Sequence, residues 1–238
     1  MKDDNIIVSI ISGGLDSICT TAYYLKNKGK NNDLYTISFI YGQRAIIEIE
    51  HAKRFSDFLG SKDHYIVDIS FMKKIYGKTN VLTNSNKKIP SDFDYTIVVP
   101  IRNAIFITIA TSWAMSIGAT TVLYGAHKND NNYPDCRPEF TKALSEVLNL
   151  GEIDGIRSGL RKRMNIWSPA LDGLDKSDLI KIGYKILGNK IFDTWSCYYN
   201  GKTNKEEKGI HCGICESCIN RRIAIKNAGI DDKTKYVN

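Results

Sequence analysis

Apolar runs alternate with amphipathic stretches along most of this chain. Residues 6–11 form a short continuous apolar run stopped by Ser12-Gly13-Gly14, the pattern of a parallel strand buried on both faces. From about Ser17 to Lys28, apolar residues recur at helical spacing and stop at Gly29. Residues 34–41 are β-branched and aromatic and predict a second strand. A helix follows over roughly 46–59, ended by Gly60, and residues 65–69 predict a third strand. Residues 73–94 break this rhythm; Asn, Lys and Ser dominate, and the segment reads as a surface excursion. The pattern then predicts a helix over 102–117 closed by Gly118, a strand over 121–124, and helices over 140–150 and 176–187. Strands alternating with helices imply an α/β fold, a doubly wound and mostly parallel sheet with ligands at the carboxyl ends of its strands. From Trp195 onward the spacing is irregular and Cys-rich, so the reading divides the chain into an α/β domain over 1–190 and a small metal-binding lobe over 191–238.

Composition changes this picture little. The 238 residues carry 33 Lys and Arg against 26 Asp and Glu, a formal charge of +7, which suits anionic ligands such as nucleotides. No dense basic arm is visible, so direct contact with nucleic acid is not expected and a solvated basic surface is the plainer reading. The polar start Met1-Lys2-Asp3-Asp4-Asn5 is unlike a signal segment, and no apolar stretch reads as long enough to span a bilayer. The expectation is a cytoplasmic protein without membrane contact. There, six cysteines argue for metal or chemistry before disulfides.

Two motifs carry chemistry. Ser12-Gly13-Gly14-Leu15-Asp16-Ser17 joins the first strand to the first helix. Two glycines let the backbone bend tightly, and successive N–H groups with the positive end of the helix cradle a phosphate. Ser12 and Ser17 add hydroxyl donors, and Asp16 either holds Mg²⁺ or orders the loop. No Walker lysine stands here. The hexapeptide resembles the signature of the pyrophosphate-loop ATP superfamily, whose members typically cleave ATP between the α and β phosphates. The second motif is Cys212-Gly213-Ile214-Cys215-Glu216-Ser217-Cys218 with Cys197 upstream, a spacing suited to four thiolates around one Zn²⁺. A redox pair, an iron–sulfur cluster, or His211 in place of Cys197 are the alternatives. Cys19, inside the first helix, reads as a small buried hydrophobe.

Other segments narrow the choice: Tyr41-Gly42-Gln43-Arg44 with Glu48, Val99-Pro100-Ile101-Arg102-Asn103, Gly125-Ala126-His127, Asp130, Tyr133-Pro134-Asp135-Cys136-Arg137, and Thr194-Trp195-Ser196-Cys197-Tyr198 leading to the cysteines and Arg221. Together they resemble the 7-cyano-7-deazaguanine synthase family nearly end to end. The resemblance implies an ATP-dependent ligase that turns 7-carboxy-7-deazaguanine and ammonia into the nitrile through an adenylated acid and an amide. An enzyme stopping at the amide and a tRNA-modifying relative are the alternatives.

By motif position, Ile10, Ile11, Ser12, Gly13, Gly14, Leu15, Asp16, Ser17, Ile18, Cys19 and Thr20 form the nucleotide-binding segment. Asp16, Ser17 and Lys176 are the catalytic candidates. Cys197, Cys212, Cys215 and Cys218 hold one zinc per chain, with Mg²⁺ accompanying ATP. Lys176 either neutralises developing phosphate charge or is a solvated residue in a first helical turn. Arg102, Asn103, Tyr133, Asp135 and Arg137 face the substrate, Asp135 as acceptor for a guanine-like N–H edge and Arg137 as partner of a carboxylate or phosphate; for Arg102 and Asn103, capping a helix or touching the nucleotide are the other readings. The competing reading is that the Pro-containing segment only orders a loop. Cys136 reads as packing or recognition rather than as a nucleophile. The resemblance also implies a homodimer. Ala45 stands where the family usually has His, which puts any role for that imidazole in doubt. Arg157, Arg161, Lys162 and Arg163 read as a solvated basic loop.

Overall fold

A computed structural model describes residues 6–29, 32–204 and 207–237. In chain order the elements are β1 (Ile6–Ile10), α1 (Leu15–Asn27), β2 (Asp33–Ile40), α2 (Glu48–Phe58), β3 (His64–Asp68), α3 (Met72–Tyr76), α4 (Arg102–Ser116), β4 (Thr121–Leu123), α5 (Pro138–Gly151), α6 (Ile153–Arg157), β5 (Asn165–Trp167) and α7 (Lys176–Leu187), then the hairpin β6 (Lys202–Asn204) and β7 (Glu207–Ile210), and α8 (Glu216–Asn227). The first five strands form one sheet in the order β3–β2–β1–β4–β5, parallel at every pairing.

Helical layers on both faces explain why the inner strands read as apolar runs. Successive side chains of a strand point to opposite faces. On one face Ile7, Leu34, Leu123 and Trp167 meet Tyr24 of α1. On the other, Val8, Ile37, Val122 and Ile166 meet Ile107, Ala110 and Ala114 of α4. The chain leaves β1 toward α1 and β2 on one side, while β4 lies on its other side. The strand order therefore switches direction at β1, where a crevice opens at the carboxyl ends.

Four differences from the sequence reading matter. Residues 73–94 are not merely a surface excursion: Val81, Leu82, Thr83 and Ile89 are buried, because Val81 N–H donates to Thr96 and Arg44 N–H to Leu82, tying the segment to the loop after β2 and its apolar residues to the main core. The strand β5 is three residues long and escapes a periodicity reading. The Cys-rich segment contains a full helix, α8, whose Ala224 and Ile225 share an apolar core with Leu179 and Ile180 of α7. Residues 95–116 are apolar enough to match a membrane span by composition, but left-handed Ile101 (φ 47°) divides them. The α4 residues Ile107, Ala110 and Ala114 are fully buried.

Candidate active site and metal centre

The loop after β1 is fixed from several sides. Ser12 N–H donates to Ser17 Oγ at 3.2 Å, Gly14 N–H to Ser12 Oγ at 3.3 Å, and Ser17 Oγ donates to Gly14 O at 3.0 Å. Gly13 has φ +76°, and a Cβ there would lie 2.5 Å from Glu48 O and 2.7 Å from Ala52 N of α2. Both the conformation and the close approach demand glycine. A Cβ on Gly125, beyond β4, would lie 2.9 Å from Ser17 N, and Trp195 N–H donates to Gly13 O at 2.8 Å. These contacts aim the start of α1 at the crevice, the arrangement in which a helix N-terminus receives an anion.

The crevice is a cleft of about 290 Å³. Lys176 opens α7 behind a capping box in which Asp175 and Asp178 exchange hydrogen bonds, and its Nζ lies 2.9 Å from Asp16 Oδ2. Burial alone would raise the Asp16 carboxyl, but Lys176, helped by His127, outweighs it and holds it below the usual range. Burial likewise works to lower Lys176, and Asp16 overrides it and raises the ammonium. The pair is therefore charged at neutral pH. Asp16 Oδ1 is buried without a hydrogen-bond partner, a free carboxylate oxygen of the kind Mg²⁺ prefers. Asp130 is raised by burial, partly offset by His127, whose ring and backbone N–H both lie within hydrogen-bonding reach of it. Across the cleft Phe39 stacks on Phe106 at 4.2 Å between centroids and Tyr41 lies 5.5 Å from Phe106, a wall suited to a flat aromatic ligand.

Four thiols gather at the edge of this cleft. The Sγ atoms of Cys197, Cys212, Cys215 and Cys218 all lie within 4.8 Å of one another, with Cys212 and Cys218 at 3.9 Å. A tetrahedron with metal–sulfur bonds of about 2.3 Å has edges of about 3.8 Å, so the donor set fits one thiophilic ion. Hydrogen bonds from Cys197 hold Cys212 and Cys215 below the ordinary thiol range, and backbone N–H groups of Tyr199, Cys212 and Cys215 point at the sulfurs. His211 is not among the donors: its Nε2 accepts from Ser196 N–H at 3.2 Å and its ring lies against Trp195.

Cys197 ends a short strap that begins at Thr194. Arg221, fully buried, donates to Thr194 Oγ1 at 2.8 Å, Ser196 Oγ at 3.0 Å, Thr234 Oγ1 at 3.1 Å and Ile191 O at 3.0 Å. It thereby clamps the strap whose Trp195 touches the loop after β1.

Of the residues singled out from sequence, Ile10, Ile11, Ser12, Gly14, Leu15, Asp16, Ser17, Lys176, Arg102, Asn103 and Tyr133 line one cleft. Ile18, Cys19 and Thr20 lie behind it, fully buried, and burial pushes the Cys19 thiol up to about 12. Asp135 is occupied otherwise. It accepts from Asn103 N–H at 2.9 Å and Nδ2 at 3.1 Å, closing the first turn of α4. Arg137 points away, donating to Asn131 O at 2.8 Å. Burial, with Asp130 and Asp135 beside it, raises the Cys136 thiol well above its ordinary value. The sequence reading gave no role to Glu48, Glu216 or Tyr198, which also line the cleft. For Glu48 the signal was its place in the first turn of the helix after β2.

A model of the family "queuosine biosynthesis protein QueC" matches residues 6–229. A 7-cyano-7-deazaguanine synthase from Caldicellulosiruptor saccharolyticus is 39% identical over 236 residues, covering 96% of this chain and 94% of its own. Synthases of the same name from a Sulfurihydrogenibium species and from Methanococcus maripaludis are 36% and 34% identical, over 98% and 97% of this chain and 100% and 98% of theirs. With near-complete coverage on both sides, this chain belongs to the QueC family of queuosine biosynthesis proteins.

Proposed function

We propose that this chain is an ATP-dependent carbon–nitrogen ligase, a 7-cyano-7-deazaguanine synthase, converting 7-carboxy-7-deazaguanine and ammonia to the nitrile. The observation that carries this reading is the single cleft in which the loop after β1, the Lys176–Asp16 pair and an aromatic wall converge. A carboxylate is a poor electrophile, so one oxygen must become a leaving group. The amides of residues 12–17 and the start of α1 suit the phosphates of ATP, and Lys176 offsets charge building on the departing pyrophosphate. The substrate oxygen attacks the α-phosphorus, pyrophosphate leaves, and ammonia displaces AMP to give the amide. The amide oxygen then attacks a second ATP in the same place.

Zinc, held by Cys197, Cys212, Cys215 and Cys218, would serve as a closed structural ion. Mg²⁺, held in part by Asp16 Oδ1, would neutralise phosphate charge. Arg102, Asn103 and Tyr133 are the groups in reach of the deazapurine, with Asp135 acting through Asn103. We further propose free ammonia as the nitrogen donor, a homodimer, a cytoplasmic location, and division near residue 190 into an α/β domain and a cysteine lobe. The test is mass spectrometry after incubation with ATP, ammonium and the acid. The expected result is the nitrile with two AMP formed per product; accumulation of amide with one AMP would overturn the second half of the reading.

A further inference from the structure

The proposed reaction needs a group that takes protons from nitrogen, and none of the residues assigned above does so. Ammonia adding to the acyl adenylate must shed a proton as the C–N bond forms and the C–O bond to AMP breaks. In the second half the amide oxygen forms a bond to the α-phosphorus and pyrophosphate departs, and one N–H proton is lost to leave an adenylated imidate. The last N–H proton is lost as the C–O bond breaks, AMP takes that electron pair, and the third carbon–nitrogen bond forms. A base beside the α-phosphate is required each time.

Among the carboxylates that line the cleft, three are already committed. Asp16 is ion-paired with Lys176 at 2.9 Å, and its partnerless Oδ1 is the oxygen assigned above to Mg²⁺. Asp130 receives both the backbone N–H and the ring of His127. Glu216 accepts from the Tyr198 hydroxyl and from Asn220. Glu48 differs. Its Oε1 accepts from Gln43 Nε2 at 2.8 Å, while its Oε2 has no hydrogen-bond partner among the described residues. Gln43 is itself pinned, donating to Phe39 O at 3.0 Å and accepting from Tyr41 N–H at 2.8 Å, so the carboxyl is held by a rigid amide. Its backbone abuts the phosphate loop, the oxygen 2.5 Å from where a Gly13 Cβ would be, and the residue lines the same cleft as Ser12, Gly14 and Ser17.

We propose that Glu48 is the general base of this cleft, removing N–H protons in the amide-forming and nitrile-forming steps and passing them to water at the cleft mouth. The inference rests on the synthase reading above. Its surroundings suit the task. Arg102 of α4 and Tyr41 at the end of β2 interact with it electrostatically, and Asp16, Arg44, Asp130, Lys176, Tyr198 and Glu216 face the same cleft. Burial raises the Glu48 carboxyl to about 7, with the Gln43 amide and Arg102 holding it from going higher. A base whose pKa lies near the working pH is the most effective kind.

The experiment starts from the amide, so that titration of ammonium plays no part. Wild-type enzyme with ATP and the amide should form nitrile along a pH profile that rises through about 7. Glu48→Gln should lower that rate by about 10²–10⁴-fold and abolish the rise, while Glu48→Asp keeps the rise at reduced rate. Pyrophosphate release from ATP and the acid without ammonia needs no N–H proton removed. It should stay within about 3-fold in Glu48→Gln, which also reports an intact fold. The proposal is overturned if Glu48→Gln keeps the rise through pH 7. It is equally overturned if that variant raises KM for the amide with kcat unchanged, which would make Glu48 a recognition group. Failure of the wild-type enzyme to convert the amide would instead overturn the synthase reading on which the proposal stands.

Discussion

The two ends of the strap Thr194–Cys197 meet regions built on opposite principles. At one end the loop after β1 is shaped by its neighbours: the parallel sheet holds β1, α2 crowds Gly13, and Gly125 lets β4 approach Ser17. At the other end four thiols face one another with backbone N–H groups aimed at them. A loop shaped by packing is ready before its ligand arrives. A cluster of four thiols within 4.8 Å of one another is instead placed to hold an ion. The contrast predicts a cleft with one preorganised wall and one wall whose geometry depends on metal.

The largest expected effect comes from removing that dependence. Cys215→Ser, or a strong chelator, should release one metal ion per chain and lower Tm by more than about 10 °C, since structural zinc sites contribute on the order of 10 kcal/mol. Through the Trp195–Gly13 contact, ATP affinity should fall at least about 10-fold. Metal analysis and calorimetry check this, and unchanged ATP binding in metal-free protein would show the walls to be independent.

Lys176→Met probes the preorganised wall. It leaves Asp16 in a site where burial now raises its carboxyl, so kcat should fall by about 10²-fold, the scale of losing one electrostatic donor to a transition state. Stability should suffer as well. In the wild type Asp16 lies below its ordinary value, so its pairing stabilises the fold above pH 4 or so and the benefit fades as pH falls through the folded value. Because the variant's Asp16 is raised instead, its deficit should be greatest near neutral pH, shrink as pH falls toward 4 and vanish only below the wild-type value. Thermal melts across that range decide it.

Gly13→Ala sharpens the comparison further, because it alters shape without charge. The loop must shift away from Glu48 O and Ala52 N, and ATP should bind about 10-fold more weakly while metal content is unchanged. The smallest effect belongs to Ile101, a β-branched residue at φ 47° on the surface. Ile101→Gly relieves a left-handed conformation worth about 1–2 kcal/mol, and a rise of a few degrees in Tm should follow. A fall in Tm would mean that the exposed side chain makes contacts worth more than the strain.

Much of this arrangement was legible in the sequence, and the reasons are local. The hexapeptide after β1 and the cysteine spacing each concentrate their information within a few residues, so chemistry could be read from spacing alone. Packing of two helical layers on a parallel sheet was readable from the apolar runs. The course of residues 73–94 was not, because Val81, Leu82 and Ile89 are scattered among lysines and asparagines with no period. The commitment of Asp135 to Asn103 was hidden too, since it depends on where α4 begins in space. Arg137 shared a motif with Asp135, yet the turn at 134–136 sends it outward. Glu48 was visible as a residue but not as a role. Its meaning comes from its place in the cleft beside Gln43 and Arg102, which no linear pattern encodes.

Trp195 offers a practical return on the strap's position. Its indole is 2% exposed, lies between the rings of His51 and His211, and belongs to the residue bonded to Gly13. The chain has three tryptophans, so replacing Trp113 and Trp167 by Phe would leave one native emitter wedged between the thiols and the nucleotide loop. Its fluorescence would report filling of either site in real time, without a label, and would show which of the two responds first.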